Sequence, residues 1–271
     1  MVAGIYSLLR WGMQLSIDFT GGTIIQIQNV KLQDQIGTIQ KFLEEKEIEV
    51  VSFNISKESI NIKTKPIERE KWVDVKNQLE DDYGEIEELQ FETVGPVLGK
   101  ELLQKTAIAA LLAVFGILFY IAYVFKDVKY GLSAIFALLH DLLVVAGTFS
   151  LLGHFYGIEI DTLFVTAILT TMSFSVHDTI VVFDRIRESI KSESLPLDIT
   201  INKALTETMS RSVNNSMTIV FMLLALVLLG GETIKWFVVA LLIGIISGTY
   251  SSPFVATPIL YYLRRKGGEK K

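Results

Sequence analysis

The sequence predicts a bundle of transmembrane α-helices joined to a small α+β domain. Half of the 271 residues are hydrophobic and the mean hydropathy is +0.43. Charge is concentrated in one part of the chain, because residues 12–104 contain eighteen Asp and Glu but ten Lys and Arg. Long uncharged stretches begin at Thr106. A charged segment followed by such stretches indicates a polar domain and a membrane domain, not one soluble core.

Residues 12–104 have the pattern of a small α+β domain. Alternating apolar residues predict a half-buried strand directly after Gly21-Gly22, and helical spacing of apolar residues predicts two amphipathic helices further on. The predicted strands are 23–28, 50–55, 59–63 and 87–93, and the predicted helices are 34–47 and 68–82. The order βαββαβ predicts a ferredoxin-like α+β sandwich. Its acidic surface argues against nucleic-acid binding.

The membrane domain is predicted to cover residues 105–263. A helix needs about 20 apolar residues to cross the hydrocarbon core of a bilayer. Five stretches meet this length, at 106–125, 130–153, 162–183, 213–229 and 236–263, with a polar connection at 184–212 and a basic tail at 264–271. Residues 1–11 are apolar but too short to cross. We expect them to be the tail of a truncated first span, which makes six spans in all.

The distribution of Lys and Arg predicts the orientation, since cytoplasmic loops carry an excess of these residues. One set of loops contains Lys126, Lys129, Arg185, Arg187, Lys191, Lys203, Arg211 and the C-terminal cluster. The other short loops contain only Lys235. The sequence therefore predicts a multi-pass protein of the cell membrane, with residues 12–104 outside and the C-terminus in the cytoplasm.

Two acids, Asp141 and Asp178, fall inside the predicted spans. A carboxylate at this depth costs roughly 2.5 kcal/mol or more to insert, so it is expected to face the bundle interior or a wet cavity. Asp178 shares a helical stripe with Ser175, and Arg211 begins a polar stripe on the next span. We predict that Asp178 and Arg211 pair, because burial and a nearby cation act in opposite directions on the proton affinity of an aspartate. Such a site can bind and release a proton.

Structural roles are the alternative for each of these groups. Asp141 can equally hold helices together through hydrogen bonds, and Arg211 can be an anchor that reaches to the headgroups. Asp184 and Arg185 are expected on a solvated face with local ion pairs. His140 and His177 each precede an acid, but a buried neutral histidine is the commoner case, so neither indicates a relay.

Two further patterns predict helix geometry instead of chemistry. The glycines of Gly244-Ile-Ile-Ser-Gly248 have the GxxxG spacing that is typical of a close helix–helix contact. Ser251-Ser252-Pro253 and Pro258 predict a kinked last span, in which hydroxyl groups compensate for lost backbone hydrogen bonds.

The sequence contains no catalytic or nucleotide-binding motif. Walker A, GxSxG and HExxH patterns are absent. The chain has no cysteine, and its three histidines, at 140, 154 and 177, lack zinc-ligand spacing. Gly21-Gly22 lacks the context of a nucleotide loop and predicts a turn. We therefore expect neither an enzyme nor a cofactor, with protons as the coupling ion.

Five motifs resemble those of the SecF family, within the SecD/SecF group of the RND superfamily. They occur in the family's order and spacing over nearly the whole chain. The segments are Ser16–Thr23, Leu138–Leu142, Ser173–Glu188, Arg211–Thr218 and Gly248–Ser252. The resemblance implies an RND-type bundle of six helices in the lipid bilayer. It also implies work with SecD beside the SecYEG channel, with YajC-like and YidC-like membrane proteins as further partners.

In such proteins proton flow drives movements of external domains that pull translocating preproteins across the membrane. The resemblance assigns the proton-carrying acid to Asp178, its arginine partner to Arg211, and the acid of the third span to Asp141. The residues expected to support this site are His177, Ser175, Thr179, Asn215 and Thr218. The remaining matches to the family motifs are Asp18, Gly21, Gly22, Asp184 and Arg185. His177 departs from the family, which more often has Asn there.

Two other functions fit the same sequence. An RND-type proton-driven exporter of small molecules would need larger external domains with a ligand pocket. A non-conducting scaffold for SecD would need no proton exchange at Asp178. The three hypotheses differ in what they predict for a neutral residue at position 178.

Overall fold

A computed structural model describes residues 1–28, 36–55, 59–192 and 195–266. Its elements are α1 (Val2–Arg10), α2 (Ile17–Thr20), β1 (Gly22–Gln28), α3 (Ile36–Glu45), β2 (Val50–Ile55), β3 (Ile60–Thr64), α4 (Arg69–Tyr83), β4 (Glu87–Val94), α5 (Pro96–Phe125), α6 (Val128–Tyr156), α7 (Thr162–Ser192), α8 (Leu197–Leu229), α9 (Glu232–Ser251), a π-helix (Ser252–Ala256) and α10 (Thr257–Lys266). The start of the predicted helix at 34–35, the predicted turn at 56–58 and the end of the basic tail lie outside the described residues.

The chain divides into two compact units. The first comprises Leu15–Ala107, and the second comprises Met1–Gln14 together with Ile108–Lys271. The first boundary is close to the predicted domain of residues 12–104. We call these the α+β unit and the helical unit.

The α+β unit contains a four-stranded antiparallel sheet, so the prediction of a small sheet is confirmed. The strand order is β2-β3-β1-β4, with β1 and β3 in the centre. Ile25 of β1 lies opposite Ile62 of β3 and Phe91 of β4. Every second residue of β1 is buried, starting at Thr23, because successive side chains of a strand point to opposite faces.

The core of this unit lies between the sheet and the two longer helices. Its buried residues are Ile25, Ile27, Ile39, Leu43, Ile48, Ile60, Ile62, Trp72, Val75, Leu79 and Ile86. On α4 the buried residues Trp72, Val75 and Leu79 are three and four positions apart, which places them on one face. The apolar face of the sheet and the apolar faces of the helices therefore pack together in a single layer.

A polar contact fastens α4 to the edge strand β4. Glu88 accepts hydrogen bonds from Arg69 Nη1 at 2.5 Å and from Trp72 Nε1 at 2.8 Å. Burial raises the pKa of Glu88, but these hydrogen bonds and the charge of Arg69 outweigh it, so the pKa lies below its ordinary value. The contact therefore stabilises the ionised form of Glu88.

The helical unit accounts for most of the membrane-spanning chain. Five helical segments are long and apolar enough to cross a membrane: Pro96–Phe125, Val128–Tyr156, Thr162–Ser192, Leu197–Leu229 and Thr233–Lys266. The chain is therefore a membrane protein. Helix α1 has nine residues and is not among the five, so the sixth span stays a prediction.

Two helices are longer than the spans predicted for them. Helix α7 continues to Ser192, and α8 begins at Leu197, so most of the polar segment 184–212 is helical. Charged residues in this segment form ion pairs. Arg185 contacts Glu207 of α8 and also Glu188 of its own helix. A polar sequence extends a helix beyond the apolar stretch when its side chains can be solvated or paired.

Helix α1 packs on α6 through small residues. A Cβ atom added to Gly147 would lie 2.7 Å from the Cα atom of Gly4, which shows how closely the two backbones approach. One turn away, the hydroxyls of Ser7 and Ser150 form a buried hydrogen bond of 2.7 Å. Small side chains of this kind allow helices to pack closely in a membrane.

At the prolines predicted to bend the last span, the structure has a π-helix. The carbonyl oxygen of Ser252 accepts a hydrogen bond from the Thr257 backbone N–H and another from Thr257 Oγ1 at 3.0 Å. The neighbouring Pro253 and Pro258 cannot donate such bonds. The hydroxyl of Thr257 therefore supports the backbone at the irregular turn, as the sequence predicts.

We predict that Glu88→Gln makes the α+β unit less stable at neutral pH by about 1 kcal/mol, because it removes a charged hydrogen-bond acceptor. The folded-state pKa of Glu88 is lowered, so its contribution is complete above the unfolded pKa and is lost as the pH falls through the folded pKa. The difference between the two proteins should therefore shrink on acidification. Urea unfolding of the full chain, followed by Trp72 fluorescence in a Trp11→Phe, Trp236→Phe background, measures it.

Glu87→Gln is the matched control, since Glu87 is an exposed neighbour on the same strand. Equal losses from both substitutions, or a loss from Glu88→Gln that does not change with pH, would show that the contact of Glu88 with Arg69 and Trp72 does not stabilise the unit.

Candidate functional site

A buried carboxylate joins three helices at the centre of the helical unit. Asp141 of α6 is 5% exposed. Its Oδ2 accepts hydrogen bonds from the hydroxyls of Ser175 on α7, at 2.5 Å, and Ser251 on α9, at 2.7 Å. Its Oδ1 accepts one from Ser247 of α9 at 2.7 Å and lies 3.0 Å from Nδ1 of His140. Both oxygens therefore have two polar contacts.

The sequence provides these donors through helical spacing. Ser247 and Ser251 are four residues apart, so their hydroxyls lie one above the other on the same face of α9. Asp141 cannot find water at this depth, and a buried carboxylate without hydrogen bonds is costly. The three serines remove that cost, and they fix the position of Asp141 relative to α7 and α9.

Two glycines allow α9 to come close enough to α7 for this contact. A Cβ atom on Gly248 would lie 3.0 Å from Cβ of Ser175, and one on Gly244 would lie 2.4 Å from Cγ2 of Thr171. The close helix contact predicted from the GxxxG spacing is therefore present. Its effect is to bring Ser247 and Ser251 of α9 to the same carboxylate that Ser175 of α7 contacts.

Asp178 lies one turn further along α7, in a different setting. It is half-buried, and its Oδ2 accepts a hydrogen bond from Ser212 Oγ of α8 at 3.1 Å. Ser216, one turn away on α8, lines the same crevice as Asp178. Ser216 receives a hydrogen bond of 2.7 Å from Thr249 of α9. Asp178 is thus held by the neutral hydroxyl group of Ser212.

A narrow crevice opens beside Asp178. Its lining combines polar and apolar side chains from α7, α8 and α9: Phe174, Ser175, Asp178, Asn215, Ser216, Ile219, Ile245, Gly248 and Thr249. Ser175 belongs both to this lining and to the contacts of Asp141. We call the hydroxyl and carboxyl groups from Asp141 to Asp178 the polar seam, comprising Asp141, Ser175, Ser247, Ser251, Asp178, Ser212, Ser216 and Thr249.

The predicted partner of Asp178 lies elsewhere. Arg211 is on the exposed side of α8, and among the described residues no ion pair joins it to Asp178. Consecutive residues of an α-helix are rotated by about 100°, so Ser212 faces α7 where Arg211 does not. The structure thus brings Ser212 to the position expected for Arg211.

The other predicted residues are divided between the seam and the exposed surface. Asn215 lines the crevice, whereas Thr218 is exposed and donates a hydrogen bond to the carbonyl of Asn214 at 3.0 Å. His177 is exposed on α7. Thr179 is buried and hydrogen-bonded to Ser252, with 2.9 Å between their hydroxyl oxygens. It therefore attaches α7 to the start of the π-helix.

The remaining family-motif residues lie outside the seam. Asp184 lies 3.3 Å from Arg187 on the same helix, and Arg185 bonds to Glu207 and Glu188 as described. Asp18 lies in the one-turn helix α2 of the α+β unit, where its backbone N–H donates to the side chain of Ser16. Gly21 and Gly22 connect this turn to β1.

Ser212, Ser216, Ser247 and Ser251 were not predicted as site residues, although Ser251 belongs to the predicted kink. A signal was present, since each helix carries two serines four residues apart. Serine is common, however, and its spacing says nothing about which helix it faces. Among the residues that the structure describes, no group of three or more acids and histidines could hold a metal ion.

Comparison with known proteins agrees with the motifs. A family model described as "Protein export membrane protein SecD/SecF, C-terminal" matches residues 74–266, and one described as "SecD/SecF GG Motif" matches residues 7–28. The two matches together include parts of both units.

Similar proteins carry related names. The chain is 45% identical to the protein translocase subunit SecF of Thermobaculum terrenum, with 96% of this chain and 87% of the relative aligned. It is 34% identical to SecF of Synechocystis, with 92% and 82% aligned. The crystal structure of SecDF, a translocon-associated membrane protein of Thermus thermophilus, matches with a TM-score of 0.84 and 34% identity. That match covers 97% of this chain and 36% of the SecDF chain.

We predict that Gly248→Ala destabilises the helical unit by about 1–3 kcal/mol, because the added methyl group would push α9 away from Ser175 and lengthen the bonds to Asp141. Thermal unfolding of the purified protein in detergent measures the effect. Gly116→Ala is the control, since a Cβ atom on Gly116 of α5 meets no atom within 4 Å. Equal stability of the Gly248 variant and the wild type would contradict close packing at this point.

Proposed function

Because the chain belongs to the SecD/SecF family of protein export membrane proteins, we propose that it supplies proton-driven work to preprotein translocation through Asp178. The chain is a SecF-like subunit of Sec protein export. Its relatives are named as translocase subunits, which is a transport function and not an enzymatic reaction. Proton coupling and the residues that perform it are the proposal.

The environment of Asp178 is the observation that supports this role best. The group is half-buried and lines a small crevice of polar and apolar side chains, so it is neither fully enclosed nor fully exposed. Its hydrogen-bond partner is the hydroxyl of Ser212, which can donate to a carboxylate or accept from a carboxylic acid. The same contact can therefore accommodate both protonation states.

Asp141 has a different place in the same polar seam. Both of its oxygens already have two polar contacts, and its side chain is enclosed by α6, α7 and α9. We assign to Asp141 the role of an anchor that holds Ser175 between the two acids. Proton exchange occurs at Asp178, and its effect on the helices is transmitted through Ser175 to Asp141.

Arg211 keeps its proposed role as the cationic partner in another state of the protein. It lies one residue from Ser212, which contacts Asp178 directly. A rotation of α8 about its axis would exchange Ser212 for Arg211. Exchange of a neutral partner for a cation changes the proton affinity of an aspartate, so helix movement and proton release would be linked.

SecD is the partner that the comparisons support. The SecDF protein of Thermus thermophilus is named for both subunits, and the present chain aligns with 36% of it at 34% identity. We extend the proposal to the SecYEG channel, to YajC-like and YidC-like proteins, and to the translocating preprotein. The protein would lie in the inner membrane, with the α+β unit outside and the C-terminus in the cytoplasm, as the Lys and Arg distribution predicts.

The fold supports two finer assignments within this proposal. The strand order β2-β3-β1-β4, with helices after β1 and β3, is the order of a ferredoxin-like sandwich. The contact of α1 with α6 is of the kind that packs spans together, which supports α1 as part of a sixth span.

A non-conducting scaffold for SecD is the alternative to this mechanism. We predict that Asp178→Asn keeps its association with SecD but loses the stimulation of translocation by the proton-motive force, because an amide cannot take up and release the proton. Inverted membrane vesicles containing SecD, SecYEG and the variant measure both quantities. Normal stimulation by the Asn variant would support the scaffold and reject the carrier.

Asp141→Asn gives the matched comparison. We predict a loss of about 1–3 kcal/mol in stability, because one carboxylate oxygen that accepts from two serines can be replaced by an amide NH₂ that cannot accept. The pH dependence of proton-stimulated translocation should stay that of the wild type. A shifted pH profile in assembled Asp141→Asn would show that Asp141 also exchanges protons.

A further inference from the structure

A cluster of aromatic rings lies where α1 and α6 end, and the proton mechanism does not use it. Tyr6 belongs to α1 and Trp11 caps that helix, whereas His154 and Phe155 belong to the last turn of α6. Trp11 and His154 stack, with 3.8 Å between their ring centroids and 4° between their planes. Tyr6 and Phe155 meet Trp11 edge-on, at 5.8 Å and 6.0 Å. We call these four residues the aromatic cluster.

The aromatic cluster lies on the surface of the helical unit and not in its core. Tyr6 is 59% exposed, Trp11 is 41% exposed and Phe155 is 66% exposed. Rings that serve packing have other surroundings, since Phe125 and Tyr130 also stack, at 4.9 Å, but are at most 4% exposed. The exposure of the aromatic cluster therefore indicates that its rings contact something outside this chain.

The ends of α1 and α6 are fixed at the same level. A glycine with a positive φ angle follows each end, Gly12 at 71° and Gly157 at 66°, and such glycines commonly terminate helices. The hydroxyl of Ser150 on α6 donates a hydrogen bond to the carbonyl of Gly12. The backbone N–H of Ile160 donates one to the carbonyl of Gln14 at 2.8 Å. The two helices therefore end together, with the aromatic cluster at that level.

The chain changes from apolar to charged at the same level. Residues 142–153 of α6 carry no charge, whereas Glu159 and Asp161 follow shortly after the aromatic cluster. On the other helix, Arg10 is exposed in the last turn of α1. An apolar span that ends at charged groups marks the boundary between hydrocarbon and lipid headgroups. The aromatic cluster therefore lies at this boundary.

A second tryptophan lies at the same end of the helical unit. Trp236, near the start of α9, packs against an apolar core that includes Ile160. Nζ of Lys235 lies 5.9 Å from the centroid of the Trp236 ring. A tryptophan beside a cation is typical of the membrane interface, where the ring contacts acyl chains and the charged group reaches the headgroups. Two of the three tryptophans of the chain thus indicate the same boundary.

The two sides of α1 differ in a way that identifies what the exposed side contacts. The side that faces α6 carries the buried residues Gly4 and Ser7. Contacts between helices in a membrane are built from small residues of this kind. The aromatic cluster instead presents large rings with N–H and O–H groups, which suit the boundary between headgroups and acyl chains. It therefore fits a lipid surface better than it fits another helix.

We propose that the aromatic cluster is a lipid anchor, which contacts the headgroups and ester groups of phospholipids and fixes the depth of the end of α1 in the bilayer. His154 has a positioning role, because its ring stacks on Trp11 and holds it at the boundary. In the orientation with residues 12–104 outside, the anchor contacts the outer leaflet. The anchor does not depend on proton exchange at Asp178.

The first test measures which part of a lipid reaches Trp11. The full chain with Trp72→Phe and Trp236→Phe, which leaves Trp11 as its one tryptophan, is placed in vesicles of phosphatidylethanolamine and phosphatidylglycerol. Lipids brominated beside the ester groups should quench Trp11 fluorescence more than lipids brominated at the chain ends. Stronger quenching by the chain-end bromines, or no quenching by either lipid, would overturn the anchor. The control is the Trp11→Phe, Trp236→Phe chain, whose Trp72 is fully buried in the α+β unit.

SecD is the other occupant that this surface could have. The same measurement is therefore repeated with a SecD variant without tryptophan in the vesicles. Quenching of Trp11 by the ester-level bromines should be unchanged, because the aromatic cluster contacts lipid in the assembled pair as well. Loss of this quenching when SecD is added would show that SecD covers the aromatic cluster, and would overturn the lipid anchor.

The last test examines the positioning role of His154. His154→Phe keeps a ring that can stack on Trp11, and His154→Ala removes it. In the chain with Trp11 as its one tryptophan, the Ala variant should lose the preference for ester-level bromines, whereas the Phe variant should keep it. An unchanged preference in His154→Ala would show that Trp11 finds its depth without His154, and would overturn the positioning role.

Discussion

The hydrogen bonding of one carboxylate, that of Asp141, determines how the helical unit is assembled. A buried carboxyl group must have its acceptor positions occupied by the protein, because leaving them unsatisfied is costly. Three serines from α7 and α9 meet this requirement at 2.5–2.7 Å. A register shift of either helix by one residue would rotate its serines away. The position of α7, and with it that of Asp178, therefore depends on a buried polar contact as well as on apolar packing.

The contrast between the two acids follows from their surroundings. Asp141 is enclosed, whereas Asp178 is half-buried at a crevice and accepts a hydrogen bond from Ser212. A group that is to exchange a proton needs access, and a group that is to hold helices needs enclosure. Ser175 contacts the enclosed acid and lines the crevice of the open one. Under the proposed function, this common neighbour is the route by which a change at Asp178 would alter the contact between α7 and α9.

The elements of the fold could be predicted from sequence to a greater extent than the contacts within the site. The alternation from Thr23 to Gln28 predicts β1, and the uncharged stretches predict the spans, because both patterns reflect which side of an element is apolar. Both acids could likewise be identified from their depth. The partner of Asp178 could not, since one position along α8 changes the direction of a side chain by about 100°. Choosing Ser212 over Arg211 requires the rotation of α8, which its packing determines.

Glycine has the same physical role in each unit, because it lets a helix approach a neighbouring backbone closely. Gly248 lets α9 approach Ser175, and Gly99 lets α5 approach the turn at Gly21. In each case an added methyl group would push the two backbones apart. Backbones in direct contact have no rotamers to absorb a displacement, so a small movement of one helix must displace its neighbour. A single added methyl group is therefore a sufficient perturbation to test either contact.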